Sequence, residues 1–297
     1  IQSAREGRGE SLMASGFANV AEYVDALATN GQVHSTTFRK VPSQATAAGQ
    51  WADLSMSGNI PLANYYAAEP LVADTLDGNR GIHHGADKSP AFKYLAELGL
   101  TTPTAGFVGQ FKLLDYLLYY PFVDMDSADP QAMDNTVTLP RYATGDGVMV
   151  MAVAVTPSTG GGQFTFDYYN QDGVLKTSPT QLCNSGSVAI ATLVNSLSGT
   201  TVGRVPWLQL ASGDTGVRSI VSLTNTVTNG GLISLVLVKP LCDTTIREVN
   251  TTTEIQFLSQ RMPPPRIYDG AYLNLLVNCA ATIAAGTLLG QAKFVWN

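Results

Sequence analysis

The second half of the chain is dominated by short runs in which apolar and polar residues alternate, separated by glycine-rich turns. One such run, Gln163–Asn170, ends at Gln171-Asp172-Gly173, as a strand entering a hairpin does. Regularly spaced strands without intervening helices predict a mainly β fold, an antiparallel β-sandwich of jelly-roll-like topology. The predicted strands span residues 148–156, 163–170, 187–194, 204–211, 217–227, 232–241, 251–258, 271–278 and 288–296.

The pattern divides the chain into three regions: an N-terminal arm (1–50), a mixed helix and loop region (51–135) and the β-sandwich (136–297). In the arm, Phe17, Val20, Val24 and Leu27 recur at the spacing of a short amphipathic helix, which Asn30-Gly31 ends. One strand is predicted at 36–40. A helix of this length is marginal alone, so it needs a surface of its own chain or of another subunit.

The middle region contains two predicted helices, at 89–98 and 109–120. The first begins with Ser89-Pro90 and stops at Gly99, a capping pattern typical of helices. The second is apolar on nearly every side, which indicates a buried helix or an interface helix. The irregular segment 65–87 between the arm and these helices is too long for an ordinary connection and is predicted to be a functional or inter-subunit loop.

Composition narrows the classes of function. Only 13% of the 297 residues are charged, which favours a surface partly covered by neighbouring subunits. A net charge of −6 argues against a nucleic-acid partner, and no apolar run is long enough to span a membrane. Cys183, Cys242 and Cys279 have no metal-binding spacing and are predicted to be free thiols.

The first residues raise a separate question. The run from Arg5 to Glu10 needs purine-rich codons, like those of a bacterial ribosome-binding site, and Met13 follows it closely. Residues 1–12 are therefore either an upstream extension or processed remnant, with Met13 as the natural start, or part of the native protein.

Several clusters were weighed as chemical sites. His83, His84, Asp77 and Asp87 could bind a metal, but adjacent histidines in an extended segment point to opposite sides. A second cluster of acidic residues could bind calcium, although it lacks the EF-hand pattern: Asp124, Asp126, Asp129 and Asp134. Neither Asn184-Ser185-Gly186-Ser187 nor the glycine run 160–162 has the context of a nucleophile elbow or a phosphate loop. We expect no catalytic residues, no metal, no cofactor and no enzymatic activity.

Aromatic and apolar residues outside the sandwich are better candidates for a site. Adjacent tyrosines are not expected to point inwards together, and exposed aromatic rings often anchor interfaces. The predicted interface residues come from the arm helix and from two tyrosine pairs: Phe17, Val20, Tyr23, Val24, Leu27, Tyr65, Tyr66, Tyr119 and Tyr120.

The segments 211–220, 231–240 and 266–274, with the closing strand 290–296, resemble structural proteins of tailed bacteriophages. The resemblance covers residues 204–297. It implies a virion component, a capsid-decorating (cement) or minor head protein, which is made in the bacterial cytoplasm and located on the capsid exterior. Its partners would be the major capsid protein and copies of itself in a homotrimer. The chain lacks the long spine helix of a major shell protein, which leaves that role in doubt.

Two alternatives remain open at this stage. One is a tail, collar or head-fibre component of the same kind of particle. The other is a carbohydrate-binding or hydrolytic β-sandwich in which the tyrosine pairs provide a stacking platform.

Overall fold

The structure is a computed structural model that describes residues 16–42, 45–76, 80–195, 206–283 and 286–297. The proposed extension 1–12, Met13 and Asp77 lie outside these ranges. Within the described residues, no helix is long and apolar enough to cross a membrane.

The described residues form one α-helix, α1 (Val20–Ala28), and a series of β-strands. The strands are β1 (Val33–Val41), β2 (Trp51–Asp53), β3 (Gly58–Ile60), β4 (Asp74–Thr75), β5 (Lys93–Thr101), β6 (Gly109–Asp124), β7 (Gln131–Ala132), β8 (Met149–Ala154), β9 (Gln163–Asn170), β10 (Leu175–Thr177), β11 (Gln181–Leu182), β12 (Val217–Val227), β13 (Leu232–Ile246), β14 (Thr253–Gln256), β15 (Arg266–Ile267), β16 (Tyr272–Cys279) and β17 (Leu288–Trp296). Short 3-10 turns lie at Leu54–Met56 and Ala105–Phe107.

The strands form three antiparallel sheets. Sheet A has the order β14-β5-β17-β1-β3, with β15 also paired to β5. Sheet B has the order β10-β9-β12-β7, with β11 on β9, and sheet C has the order β2-β16-β6-β13-β8, with β4 on β6. The predicted mainly β, antiparallel sandwich fold is confirmed.

Sheet C is shared by two hydrophobic cores. One end packs against sheet B, whose Phe164, Phe166 and Ile220 join Leu235 and Leu237 of β13 in the first core. The other end packs against sheet A around a second core. The two longest strands, β6 and β13, run through both ends, so the molecule consists of two sandwiches joined by one continuous sheet.

The opposite face of sheet C is also covered. In β13, Val236 and Val238 alternate with the residues of the first core and lie in a third apolar cluster. Trp51, Tyr66 and Leu193, from segments outside the long strands, complete this cluster. Sheet C is therefore buried on both faces.

Both helices predicted in the middle region are wrong. Residues 109–120 lie in β6, which is apolar on all sides because both faces of sheet C are covered, and such a strand shows no alternation. Residues 93–98 lie in β5. The Ser89-Pro90 pattern belongs to a turn in which the backbone N–H groups of Lys88 and Ser89 donate to the carboxylate of Asp269.

The helix α1 and most predicted strands are confirmed, with β9, β12 and β17 having the predicted bounds. Two strand predictions are wrong. Residues 187–194 make only isolated bridges, including Val188 to Ser158 and Leu193 to Val153. The described part of the run 204–211, residues 206–211, forms no strand. Both segments pack against β-strands in the hydrophobic clusters. Their apolar residues are buried as in a strand, but their backbones do not pair as strands.

Candidate assembly surface

Helix α1 lies on the outer face of sheet A. Its N-terminus is capped by Asn19, whose side-chain oxygen accepts the backbone N–H of Glu22 at 3.0 Å, while the Glu22 carboxylate accepts the N–H of Ala18 at 2.8 Å. This arrangement is a variant of the capping box in which Glu22 reaches the residue before the N-cap, and it explains why so short a helix begins where it does.

The inner side of α1 is packed on the sheet. Tyr23 and Ala26 are buried against Ala96 of β5 and Val295 of β17, with Phe17, Leu27 and Tyr94 packed around them. The ring of Phe17 contacts that of Tyr23 edge-on, with centroids 5.1 Å apart. Three predicted interface residues, Phe17, Tyr23 and Leu27, therefore anchor the arm to its own β-domain.

The outer side of α1 carries an apolar stripe beside its charged residues. Val20 and Val24, four residues apart, are 60% and 45% exposed. Ala21 and Ala28 are also exposed on this helix, whose charged residues are Glu22 and Asp25. A surface helix normally presents polar residues to water, which makes this apolar stripe a candidate contact surface.

A groove of about 440 Å³ lies beside α1 and continues this surface. Its far wall is the turn after β14, where Leu258 and Met262 are exposed and Pro263 and Pro264 follow. We call the residues that line it the α1 groove: Phe17, Asn19, Val20, Tyr23, Tyr94, Leu258, Arg261, Met262, Pro263 and Pro264. Val24 lies one helical turn after Val20 and adjoins the groove. In the sequence, Leu258 and Met262, five residues and one residue before Pro263, were a usable signal for this surface.

The tyrosine pairs are placed differently. Tyr66, Tyr119 and Tyr120 are buried, and of the two pairs only Tyr65 is exposed. Tyr119 and Tyr120 lie on opposite faces of β6, and both faces are covered, so the inference that neighbouring tyrosines cannot both point inwards is wrong here. A stacking platform made of these pairs would have one exposed ring.

The hydroxyls of these three buried tyrosines each have a hydrogen-bond partner. Tyr119 donates to Asp74 at 3.0 Å, and Tyr120 donates to Asn135 at 2.7 Å while accepting the N–H of Ile220. Burial raises the pKa of Tyr120 to about 12. Tyr66 donates to the carboxylate of the fully buried Asp53. Tyr66 and Tyr119 stabilise the third cluster, whereas Tyr120 stabilises the first core.

The three histidines of the chain lie close together on sheet A and the adjoining loop. His34 donates to Nδ1 of His83 at 3.1 Å, since Gly85 N–H donates to the same atom. His84 points away from this pair and donates to the carbonyl of Ala271 at 3.0 Å. Its other ring nitrogen accepts the ammonium group of Lys93 at 2.9 Å.

Metal binding was weighed at two places in the sequence. Among the described residues, no group of three or more His, Cys, Asp or Glu side chains is arranged to hold a metal ion. In the acidic loop, Asp124 instead accepts the backbone N–H of Asp126 at 2.8 Å. Cys183 and Cys242 are free, and burial raises the pKa of each thiol to about 12, which keeps them protonated and unreactive at neutral pH.

A second groove, of about 530 Å³, crosses the outer face of sheet A beyond α1, and Ile60 and Leu289 form part of its lining. Hydroxyl, amide and charged side chains line it: Thr37, Arg39, Thr101, Thr252, Glu254 and Gln291. Gly99 forms part of its floor, where the side chain of Gln291 from β17 lies over it.

Comparison with known proteins leaves the chain unassigned. No family model matches it, and no curated protein matches it. Among solved structures, it overlaps with VP2 of infectious bursal disease virus in a subviral particle at 8% identity, covering 93% of this chain and 86% of that chain, with a TM-score of 0.19. A mutant VP2 of the same virus gives 11% identity, coverage of 89% and 78%, and a TM-score of 0.14. Scores this low bear neither on fold nor on function.

Proposed function

We propose that this chain is a non-enzymatic structural subunit of a virion, which joins its neighbours through the α1 groove. The observation that carries the proposal is the apolar stripe on the outer side of α1, where Val20 and Val24 are exposed to water on a helix whose inner side is already packed. Covering such a surface is the main favourable term in subunit association. The low charge content of the chain supports the same proposal.

The resemblance of residues 204–297 favours a finer assignment. We propose an accessory protein on the capsid exterior of a tailed bacteriophage, decorating or cementing the shell by contact with the major capsid protein and with copies of itself. A position in the tail, the collar or a head fibre is the alternative. A decorating protein would be present in far more copies per particle than a tail component.

The test is a copy count in purified particles by quantitative mass spectrometry, relative to the major shell protein. We expect many copies for the unmodified chain and a strong loss for Val24→Asp, because the charge would be buried in the contact. Val174→Asp, at another exposed apolar residue on the loop before β10, is the matched control and should be retained. Absence of the unmodified chain from particles would refute the proposal.

Point variants are preferable to removal of the arm through residue 50. Such a deletion would also remove β1, which pairs with β17 over eight residues in the middle of sheet A. Loss of attachment would then report unfolding and not loss of a contact.

Carbohydrate binding is a second candidate, favoured by the second groove on sheet A, where hydroxyl and amide groups that suit sugar hydroxyls lie beside apolar side chains. A glycan array with the purified chain tests it. Binding that is lost in Gln291→Ala would support this candidate, and an array without signal would refute it.

A further inference from the structure

The charges around the α1 groove bear on which partner covers it. Asp25 is exposed on the outer side of α1, next to Val24, and Arg261 is exposed on the wall of the groove that faces α1. Within the part of the chain that the structure describes, neither side chain forms an ion pair, and the ion pairs present are Lys112 with Asp243, Arg141 with Asp115 and Lys293 with Glu97. One apolar surface thus carries an unpaired acid on one side and an unpaired base on the other.

A surface of this kind is complementary to itself. In a two-fold contact the same patch is used by both subunits, so a residue on one side of the patch meets the residue on the other side in the partner. Asp25 of each copy would then face Arg261 of the other, twice per contact, around a centre formed by the exposed valines of α1. Complementary charges at the edge of an apolar centre set the orientation of a contact.

We propose that the partner covering the α1 groove is a second copy of this chain, in a two-fold dimer with Val20, Val24, Leu258 and Met262 at its centre and two Asp25–Arg261 ion pairs at its edge. The inference rests on the proposed function of the groove as an assembly contact and specifies the partner. It differs from the trimer implied by the resemblance, because a patch that contacts itself produces a two-fold axis.

The decisive experiment is a charge swap, with the dissociation constant measured by sedimentation velocity on the purified full chain. Asp25→Arg and Arg261→Asp should each weaken the dimer at least tenfold, because each places like charges opposite one another at both ends of the contact. The double variant should recover affinity to within about threefold of the unmodified chain, because the pairs are restored in reverse. Val24→Asp should yield a monomer, whereas the control Val174→Asp should remain a dimer.

Each outcome bears on the inference. Recovery in the double variant supports it, since a variant that merely misfolds would not be rescued by a second surface substitution. A monomeric unmodified chain, a trimer, or a double variant as weak as either single variant would overturn it. Failure of this inference can be distinguished from failure of the proposed function. If the chain is a monomer but abundant in particles, the virion role stands with a different partner. If the chain is a dimer but absent from particles, the dimer stands and the virion role is refuted.

Discussion

Single side chains show how this weakly charged protein uses its buried charges. Lys40, Asp53, Lys93 and Asp115 are almost fully buried, and each has hydrogen-bond partners. Asp53 accepts the hydroxyl of Tyr116 at 2.7 Å, together with hydrogen bonds from Tyr66 and Ser55. Burial raises the pKa of Asp53, and these hydrogen bonds oppose the rise. A buried charge is tolerated only when its partners replace the lost water.

The buried ion pair between Asp115 and Arg141 gives the first prediction. Arg141 donates to both carboxylate oxygens of Asp115, at 2.7 and 2.8 Å, and to two backbone carbonyls. Arg141→Met should lower the free energy of unfolding by about 3–5 kcal/mol, because Asp115 would remain buried without its counter-charge. Urea denaturation measures this.

The matched control is Lys112→Met, because the partner of Lys112, Asp243, has a side chain that is 65% exposed. Its effect should stay below about 1 kcal/mol. Equal losses for the two variants would contradict the assignment of Arg141 as the partner that keeps Asp115 charged in the core.

The second prediction concerns acid and His84. Burial, reinforced by the charge of Lys93, lowers the pKa of His84 from 6.5 to about 4. Below pH 6.5, His84 therefore binds a proton in the unfolded chain but not in the folded chain. The free energy of unfolding falls as the pH is lowered to about 4. The full loss is about 3 kcal/mol.

The variant His84→Gln isolates this contribution, because an amide can donate to the Ala271 carbonyl and accept from Lys93 without titrating. Denaturation curves at pH 7.5 and pH 4 should show a stability loss about 3 kcal/mol smaller in the variant than in the unmodified chain. Identical pH profiles would show that His84 does not carry the acid sensitivity.

At the level of single strands, the close pairing of β1 with β17 requires a glycine at position 290. Phe38 lies opposite Gly290, and a Cβ atom on Gly290 would come within 2.1 Å of the Phe38 ring. Gly290→Ala should cost about 1–3 kcal/mol by overpacking the second core. Gly58→Ala in β3, where nothing lies within 4 Å, is the control and should cost less than about 1 kcal/mol.

A second-site change completes this test. Phe38→Leu in the Gly290→Ala background should recover part of the loss, because the shorter side chain makes room for the new methyl group. Thermal melts of the unmodified chain, the two single variants and the double variant measure the coupling. Strictly additive losses of stability would show that the Phe38 ring is not the reason for a glycine at position 290.

The molecule as a whole should unfold as one unit. Because β6 and β13 cross both cores, neither sandwich can lose its part of sheet C without disrupting the other. Leu235→Ala in the first core and Leu275→Ala in the second should each lower stability by about 2–5 kcal/mol. In both variants, tryptophan fluorescence and far-UV circular dichroism should report a single, coincident transition. Two separate transitions would show that the sandwiches are independent.

The local pattern of the amino-acid sequence was sufficient to predict the class of fold and the strands with one solvent-exposed face, such as β9 and β12. In such strands, apolar and polar residues alternate because one face is buried and the other is exposed. It was also sufficient for α1, whose capping residues lie within a few positions of each other. It failed for β6, because a strand that is covered on both faces shows no alternation of apolar and polar residues. Which side of α1 stays in water, which tyrosines are buried and how Arg261 comes to lie beside α1 depend on residues that are far apart in the chain, and chain folding alone brings these together.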